Sequence, residues 1–313
     1  MTHRDATELD CDQRLRCSEW ARQADVNPIG TAGTYRGIVG VEWPLPWPKD
    51  ASAVEELAGV AALFAPLGIR LQLLRPERGN GDEATVVSFR RDDDHYFHDF
   101  ERREERVDVC DVVDMAIALA RGEFPHEPAG DQVDILVCTH GSRDVCCGSA
   151  GTRLAASVAL VLDALPGSVR VWSTSHLGGH RFAPTAIVMP HGTCWGFLDP
   201  GRLRAIVSRS GSVDDVLVSY RGCLGIGPAR AQAMERVAFR EIGWSWLDHR
   251  RRGRDLGGNR VEIDAVSPEG HQLMWSGLIL EGRELPVPVC REPLAAATKT
   301  ECEFVVSAYT QQG

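Results

Sequence analysis

Apolar residues along this chain fall into short strand-sized blocks separated by stretches of helical period, and the order of blocks repeats. Residues 37–43 (Gly-Ile-Val-Gly-Val-Glu-Trp) read as a strand that ends at the Pro44, Pro46, Pro48 cluster. Val54, Leu57, Val60, Leu63 and Phe64 recur at helical spacing, which predicts a helix over 50–66 with Gly68 as its stop. A second strand is expected at 69–74. A hairpin at 85–89 and 95–100 would cross the acidic turn Asp92-Asp93-Asp94, and an amphipathic helix would follow at 109–121.

The second half repeats the rhythm. Residues 133–138 are apolar apart from Asp134, as expected of a buried strand. A helix is predicted at 152–165, a strand at 168–172, and strands at 185–189 and 194–198 around the turn at His191-Gly192. Pro200 suits the first position of a helix reaching Arg209. A β-α-β unit followed by a hairpin and a helix is the thioredoxin-like arrangement, and Pro184 stands where that fold usually has a cis-proline.

The expected fold class is α/β: two tandem thioredoxin-like halves with a C-terminal α+β appendage. The divisions would be an N-terminal segment at 1–34, a degenerate thioredoxin-like domain at 35–125, a second thioredoxin-like domain at 126–224, and the C-terminal region at 225–313, with the halves joined around residues 123–132. In the last region 228–250 reads as a long helix with Met234, Val237, Ala238, Ile242 and Trp246 along one side. It would run into Arg250-Arg251-Arg252-Gly253-Arg254, read as charge complementing a helix end or as a docking surface for an acidic partner. Strands are expected at 260–266, 271–279 and 304–309.

The net charge of -10 argues against nucleic acid as a partner, because neutralising phosphates needs surplus positive charge. No apolar run approaches the roughly 20 residues that span a bilayer, and residues 1–10 carry no secretory signal, so a cytoplasmic protein without membrane contact is expected. In that compartment ten cysteines are not a disulfide framework; a clustered subset points to metal binding or redox chemistry. Cys110, Cys194, Cys223, Cys290 and Cys302 read as small buried apolar residues, and Cys11 and Cys17 receive no role.

The clustered subset lies in two small-residue loops. Cys138-Thr139-His140-Gly141-Ser142-Arg143-Asp144-Val145-Cys146-Cys147 supplies thiols, and His176-Leu177-Gly178-Gly179-His180 supplies two imidazoles. Two sulfur and two nitrogen donors suit zinc or a [2Fe–2S] cluster of mixed ligation. The paired glycines favour a tight loop over a helix between the histidines. Both loops would follow parallel strands of one β-α-β unit, so they emerge on the same sheet edge and can converge.

Cys138 and Cys147, eight residues between them, followed by His176-x-Gly178-Gly179-His180, resemble the sucrase/ferredoxin-like family of thioredoxin-like [2Fe–2S] proteins. Gly30-Thr31-Ala32, Val41-Glu42-Trp43 with Pro46-Trp47, and Arg181-Phe182-Ala183-Pro184 are similar to that family too, and the likeness extends to about Tyr220-Arg221-Gly222. The resemblance implies a [2Fe–2S] cofactor held by Cys138, Cys147, His176 and His180, with 126–224 as the cluster domain. It also implies one-electron exchange with redox partner proteins, a reductase and an acceptor.

Two thiolates and two neutral imidazoles would leave an oxidised cluster site uncharged, which raises the potential toward the Rieske range of roughly -150 to +300 mV. Proton coupling through the imidazole N–H groups would make that potential fall with rising pH. His140, Arg143, Cys146 and Arg181 are expected around the ligands, with Cys146 as the alternative to Cys147. Two other readings stay open: a structural zinc Cys2His2 site in an interaction protein, and a thiol–disulfide oxidoreductase, although Cys-x-x-Cys is absent. No nucleophile elbow, phosphate loop or dinucleotide fingerprint supports a hydrolase or transferase.

Overall fold

The computed structural model describes residues 16–77, 81–91, 96–123, 132–162 and 168–313. A short helix, α1 (Cys17–Gln23), precedes β1 (Gly37–Glu42), a strand whose six residues are all buried, as its apolar run requires. The expected helix at 50–66 is broken. Asp50 caps a 3-10 turn by accepting from Ser52 N, a second 3-10 turn follows, and only α2 (Ala58–Phe64) is α-helical. Then come β2 (Ile69–Leu74), β3 (Glu83–Arg90), β4 (Glu101–Asp108) and α3 (Val112–Arg121).

The predicted partner of β3 at 95–100 is corrected to β4. Phe97 and Phe100 are buried, Phe97 bridging to the backbone of Arg251, so these aromatics serve packing between regions rather than the hairpin. The polar sequence of β4 suits an edge strand held by ion pairs such as Arg103–Glu101 and Arg106–Glu83. The expected acidic turn lies at 92–94, outside the described residues, as do most of the residues expected to join the halves.

The second half contains β5 (Gln132–Cys138), α4 (Thr152–Leu162), β6 (Ser168–Thr174), β7 (Ala186–Met189), β8 (Thr193–Trp195), α5 (Pro200–Ser208), α6 (Asp214–Leu217) and β9 (Tyr220–Cys223). The Ala183–Pro184 peptide is cis. All nine strands form one mixed sheet in the order β4-β3-β1-β2-β6-β5-β7-β8-β9. In each half the first two strands are parallel and the third is antiparallel to the first, so both halves have the strand order second, first, third, fourth. They meet through their second strands, where Leu74 pairs with Thr174.

The C-terminal region adds α7 (Ala229–Ile242) and a four-stranded antiparallel sheet of β10 (Arg250–Gly257), β11 (Arg260–Val266), β12 (Gln272–Pro286) and β13 (Thr300–Gln312). The arginine run is therefore a strand, not a helix end. Its alternation sends Arg251 inward, fully buried against Glu235 of α7 at 3.2 Å, while Arg252 and Arg254 pair with Asp264. Glu235 also accepts from Tyr220 Oη at 2.9 Å, which ties α7 and β10 to the last strand of the large sheet. Cys194 and Cys223 are buried as expected, whereas Cys110 is exposed on a turn and Cys302 is partly exposed on β13. Among the described residues no helix is long and apolar enough to cross a membrane.

Candidate metal centre

β5 and β6 run parallel with Cys138 in register with Thr174, so the loops that follow them leave the sheet side by side. After β5 the chain turns through residues 139–146 and enters a π-helical turn, Cys147–Gly151, that leads into α4. Gly151 makes this return possible. A Cβ there would stand 1.9 Å from the Cys138 carbonyl oxygen, so only glycine lets the start of the helix lie on the end of the strand. Cys138 and Cys147 are thereby brought together and fully buried.

After β6, Gly178 and Gly179 both take left-handed conformations, with φ of 83° and 65°, and fold residues 176–180 into the expected loop. Donor atoms of Cys138, Cys147 and His176 lie within 4.8 Å of one another. His176 Nδ1 is buried and has no hydrogen-bond partner among the described residues. His180 stands beside this group rather than in it, its ring centroid 6.0 Å from that of His176. Its Nε2 is engaged by the Pro288 carbonyl at 3.0 Å, leaving Nδ1 as the available donor atom.

Several residues hold the histidine loop that sequence reasoning did not single out for it. The Arg221 side chain, buried under the loop, donates to Gly178 O (3.2 Å), Thr31 O (2.6 Å) and Thr31 Oγ1 (3.0 Å), and its carbonyl accepts from Gly30 N at 2.9 Å. The first half contributes as well. Arg70 of β2 donates to the His176 carbonyl, Gln72 donates to Ser175 Oγ at 2.6 Å, and Ser175 N donates to Leu73 O at 2.8 Å. The first half thus braces the loop. Thr31 and Arg221 fall in stretches that carry the family resemblance, whereas no local pattern marks Arg70, Gln72 or Ser175, and Gln72 and Ser175 meet across 103 positions.

Of the expected neighbours, His140 is buried and its Nδ1 accepts the His176 backbone N–H at 3.1 Å, which fixes the start of the loop. Arg143 is exposed. It lines a cleft of about 550 Å³ together with Lys49, Asp50, Arg70, His140 and His176, so one edge of the donor group opens toward solvent here. Arg181 is committed internally, bonded to Glu301 of β13 at 2.6 Å and lying over the Phe182 ring, and is not free for a partner. Cys146 belongs to a different group, with Cys17, Asp144 and Cys290.

The thiol pair shares charge unequally. A hydrogen bond from the Cys147 thiol, with further help from His176, holds Cys138 well below the usual thiol range despite burial. The same bond, reinforced by burial, pushes Cys147 up. Burial lowers both His140 and His180, favouring the neutral imidazole that can ligate a metal. Two buried sulfurs, one of them readily ionised, beside a buried ring nitrogen lacking any partner, fit a soft metal ion or an iron–sulfur cluster.

A large mixed sheet of an α/β fold, carrying sulfur and nitrogen donors at the carboxyl ends of two parallel strands, defines a candidate metal-binding protein of that fold class. The chain belongs to the sucrase/ferredoxin-like family, whose model matches residues 28–222. It is also similar to altered inheritance of mitochondria protein 32 of Meyerozyma guilliermondii, at 34% identity over 70 residues. That match covers 22% of this chain and 24% of the relative, so the chain spans about a quarter of the relative's length. No solved structure matches the chain.

Proposed function

We propose that the protein is a one-electron carrier whose [2Fe–2S] cluster is held by Cys138, Cys147, His176 and His180. The observation that carries this reading is the buried, unpartnered Nδ1 of His176, beside two buried thiols, in a chain of the ferredoxin-like family. Bound there, the cluster would supply a single reversible electron. The protein's part is to hold two sulfurs and two imidazoles on braced loops and to keep the sulfurs away from water. His176 lines the open cleft, and Lys49, Arg70 and Arg143 give that cleft a basic rim with Asp50 as its acidic member. Such a rim suits the acidic face of a redox partner, a reductase or an acceptor, meeting the chain at His176.

Anaerobically purified protein, assayed for iron, sulfide and zinc and scanned in the visible, tests the reading. Two irons and two sulfides per chain, with a visible spectrum bleached by dithionite, are expected. His176→Cys and His180→Cys should each keep the cluster and lower its potential, because a thiolate adds negative charge. A colourless protein holding zinc on these four residues overturns the carrier reading and leaves a structural site.

A further inference from the structure

Three buried cysteines outside the described centre are not independent of one another. Cys17 in α1, Cys146 in the turn before Cys147, and Cys290 between β12 and β13 meet at one buried point, although up to 273 positions separate them. Cys146 Sγ lies 3.1 Å from Cys290 Sγ, and Cys290 Sγ lies 3.4 Å from Cys17 Sγ. Asp144 Oδ1 is 3.3 Å from Cys290 Sγ and 3.5 Å from Cys17 Sγ, and all four donor atoms fall within 4.8 Å of one another. Asp144 is itself buried, and among the described residues no Arg, Lys or His forms an ion pair with it.

Asp144 accepts the backbone N–H groups of Cys146 at 2.8 Å and Cys290 at 3.4 Å, but among the described residues no cation pairs with this buried carboxyl set among three thiols. A divalent ion bound by the carboxylate and the three sulfurs would give all four buried donor atoms a direct metal–ligand bond. Zinc–sulfur bonds of about 2.3 Å in a tetrahedron put sulfurs roughly 3.8 Å apart, so the observed spacings of 3.1 and 3.4 Å need to open by about 0.7 and 0.4 Å. A disulfide would join two of the thiols and leave the third, with Asp144, unexplained. Four donors from the protein leave no position for water, and three sulfurs select against magnesium or calcium.

We propose that Cys17, Asp144, Cys146 and Cys290 form a structural zinc(II) site, separate from the centre at Cys138, Cys147, His176 and His180. On binding, the three thiols release their protons and zinc takes three thiolates and one carboxylate. The ion clamps α1 and the segment after β12 onto the turn that carries Cys147. Because Pro288, two residues before Cys290, receives His180 Nε2, the clamp also fixes the histidine loop.

The test uses full-length protein purified as it is expressed, with metal analysis and zinc-edge X-ray absorption. The expected result is one zinc per chain with a shell of three sulfurs at about 2.3 Å and one oxygen at about 2.0–2.2 Å. Cys290→Ala and Cys17→Ala should each lower zinc at least tenfold, while Cys138→Ala leaves it unchanged. Should the alanine variants fail to fold, the absorption shell of the unaltered protein decides alone. Zinc absent from that protein, or a Cys146–Cys290 disulfide found after alkylation under non-reducing conditions, overturns the proposal. Iron in this site, lost on Cys290→Ala, overturns it equally. A zinc shell of two sulfurs and two nitrogens overturns it and also places zinc in the Cys138 centre, sinking the carrier reading. Absence of iron with the three-sulfur shell intact sinks only the carrier.

Discussion

Replacing Arg251 by Met removes the cation from an ion pair in which both side chains are fully enclosed, and the consequence can be worked out. At 3.2 Å and an effective dielectric of about 20, the attraction lost is about 5 kcal/mol. Burial already holds the Glu235 carboxyl above its ordinary value even with Arg251 beside it, so without Arg251 the carboxylate is stranded. Measured cases of this kind cost about 3–5 kcal/mol, and that is the expected loss in urea denaturation at pH 7.5.

The stranded carboxyl should bind a proton in the folded state, which gives the loss a pH signature. A folded pKa raised above 4.5 leaves stability intact below that value and removes it as pH rises toward the raised pKa, by about 1.4 kcal/mol per pH unit. The deficit should therefore nearly vanish at pH 5. Adding Glu235→Gln removes the charge but keeps one acceptor oxygen where Tyr220 Oη and Trp246 Nε1 now use two, so it should recover about 1 kcal/mol of the loss at pH 7.5. A cost below about 1 kcal/mol, a pH-independent deficit, or a double variant no more stable than Arg251→Met would refute the reasoning.

Three further outcomes are expected. Gly151→Ala drives a Cβ into the Cys138 carbonyl and should cost about 2–3 kcal/mol in chemical denaturation and deplete bound metal, whereas Gly59→Ala, with open space around it, should be neutral or slightly stabilising. His140→Ala deletes the acceptor of the His176 N–H and should weaken metal retention in chelator competition by about 10–100-fold, with His140→Asn partly restoring it. Burial opposes ionisation of Glu301, but Arg181 and then Lys299 hold its carboxyl below the ordinary 4.5. Its contribution is present above that pH and lost as pH falls through the depressed value, so Glu301→Gln should destabilise at pH 7 and the difference should close under acid denaturation.

The strands of both halves were legible where burial left a mostly apolar stretch, as at Gln132–Cys138, interrupted by Asp134, and Ile69–Leu74, interrupted by Arg70 and Gln72. Legibility failed where another element supplied the reason for a residue. The aromatics Phe97 and Phe100 mimic a strand but pack between regions, and β4 hides its strand character under charges that pair across the sheet edge. The arginine run looks like a helix terminus until its alternation is set against Glu235. Cys138, Cys147 and His176 converge because adjacent parallel strands bring their loops to one edge, a rule that can be applied without coordinates. Cys17 and Cys290 could not be linked that way, since their only relation is that both termini of the fold return to the same loop. Asp144 was the available clue, a carboxylate inside a cysteine-rich turn.

The backbone seam between the halves is narrow. Leu74 and Thr174 are its single register pair, flanked by hydrogen bonds from Arg75 N to Ser173 O and from Ser175 N to Leu73 O. That seam adjoins His176, so whatever occupies the neighbouring donors also stiffens the join between two lobes that share core residues such as Ile38, Leu74, Val87 and Phe89. Reciprocity then requires that any macromolecule gripping both lobes alters affinity at the donors, and hydrogen exchange at Arg75 and Ser175 becomes a gauge of occupancy.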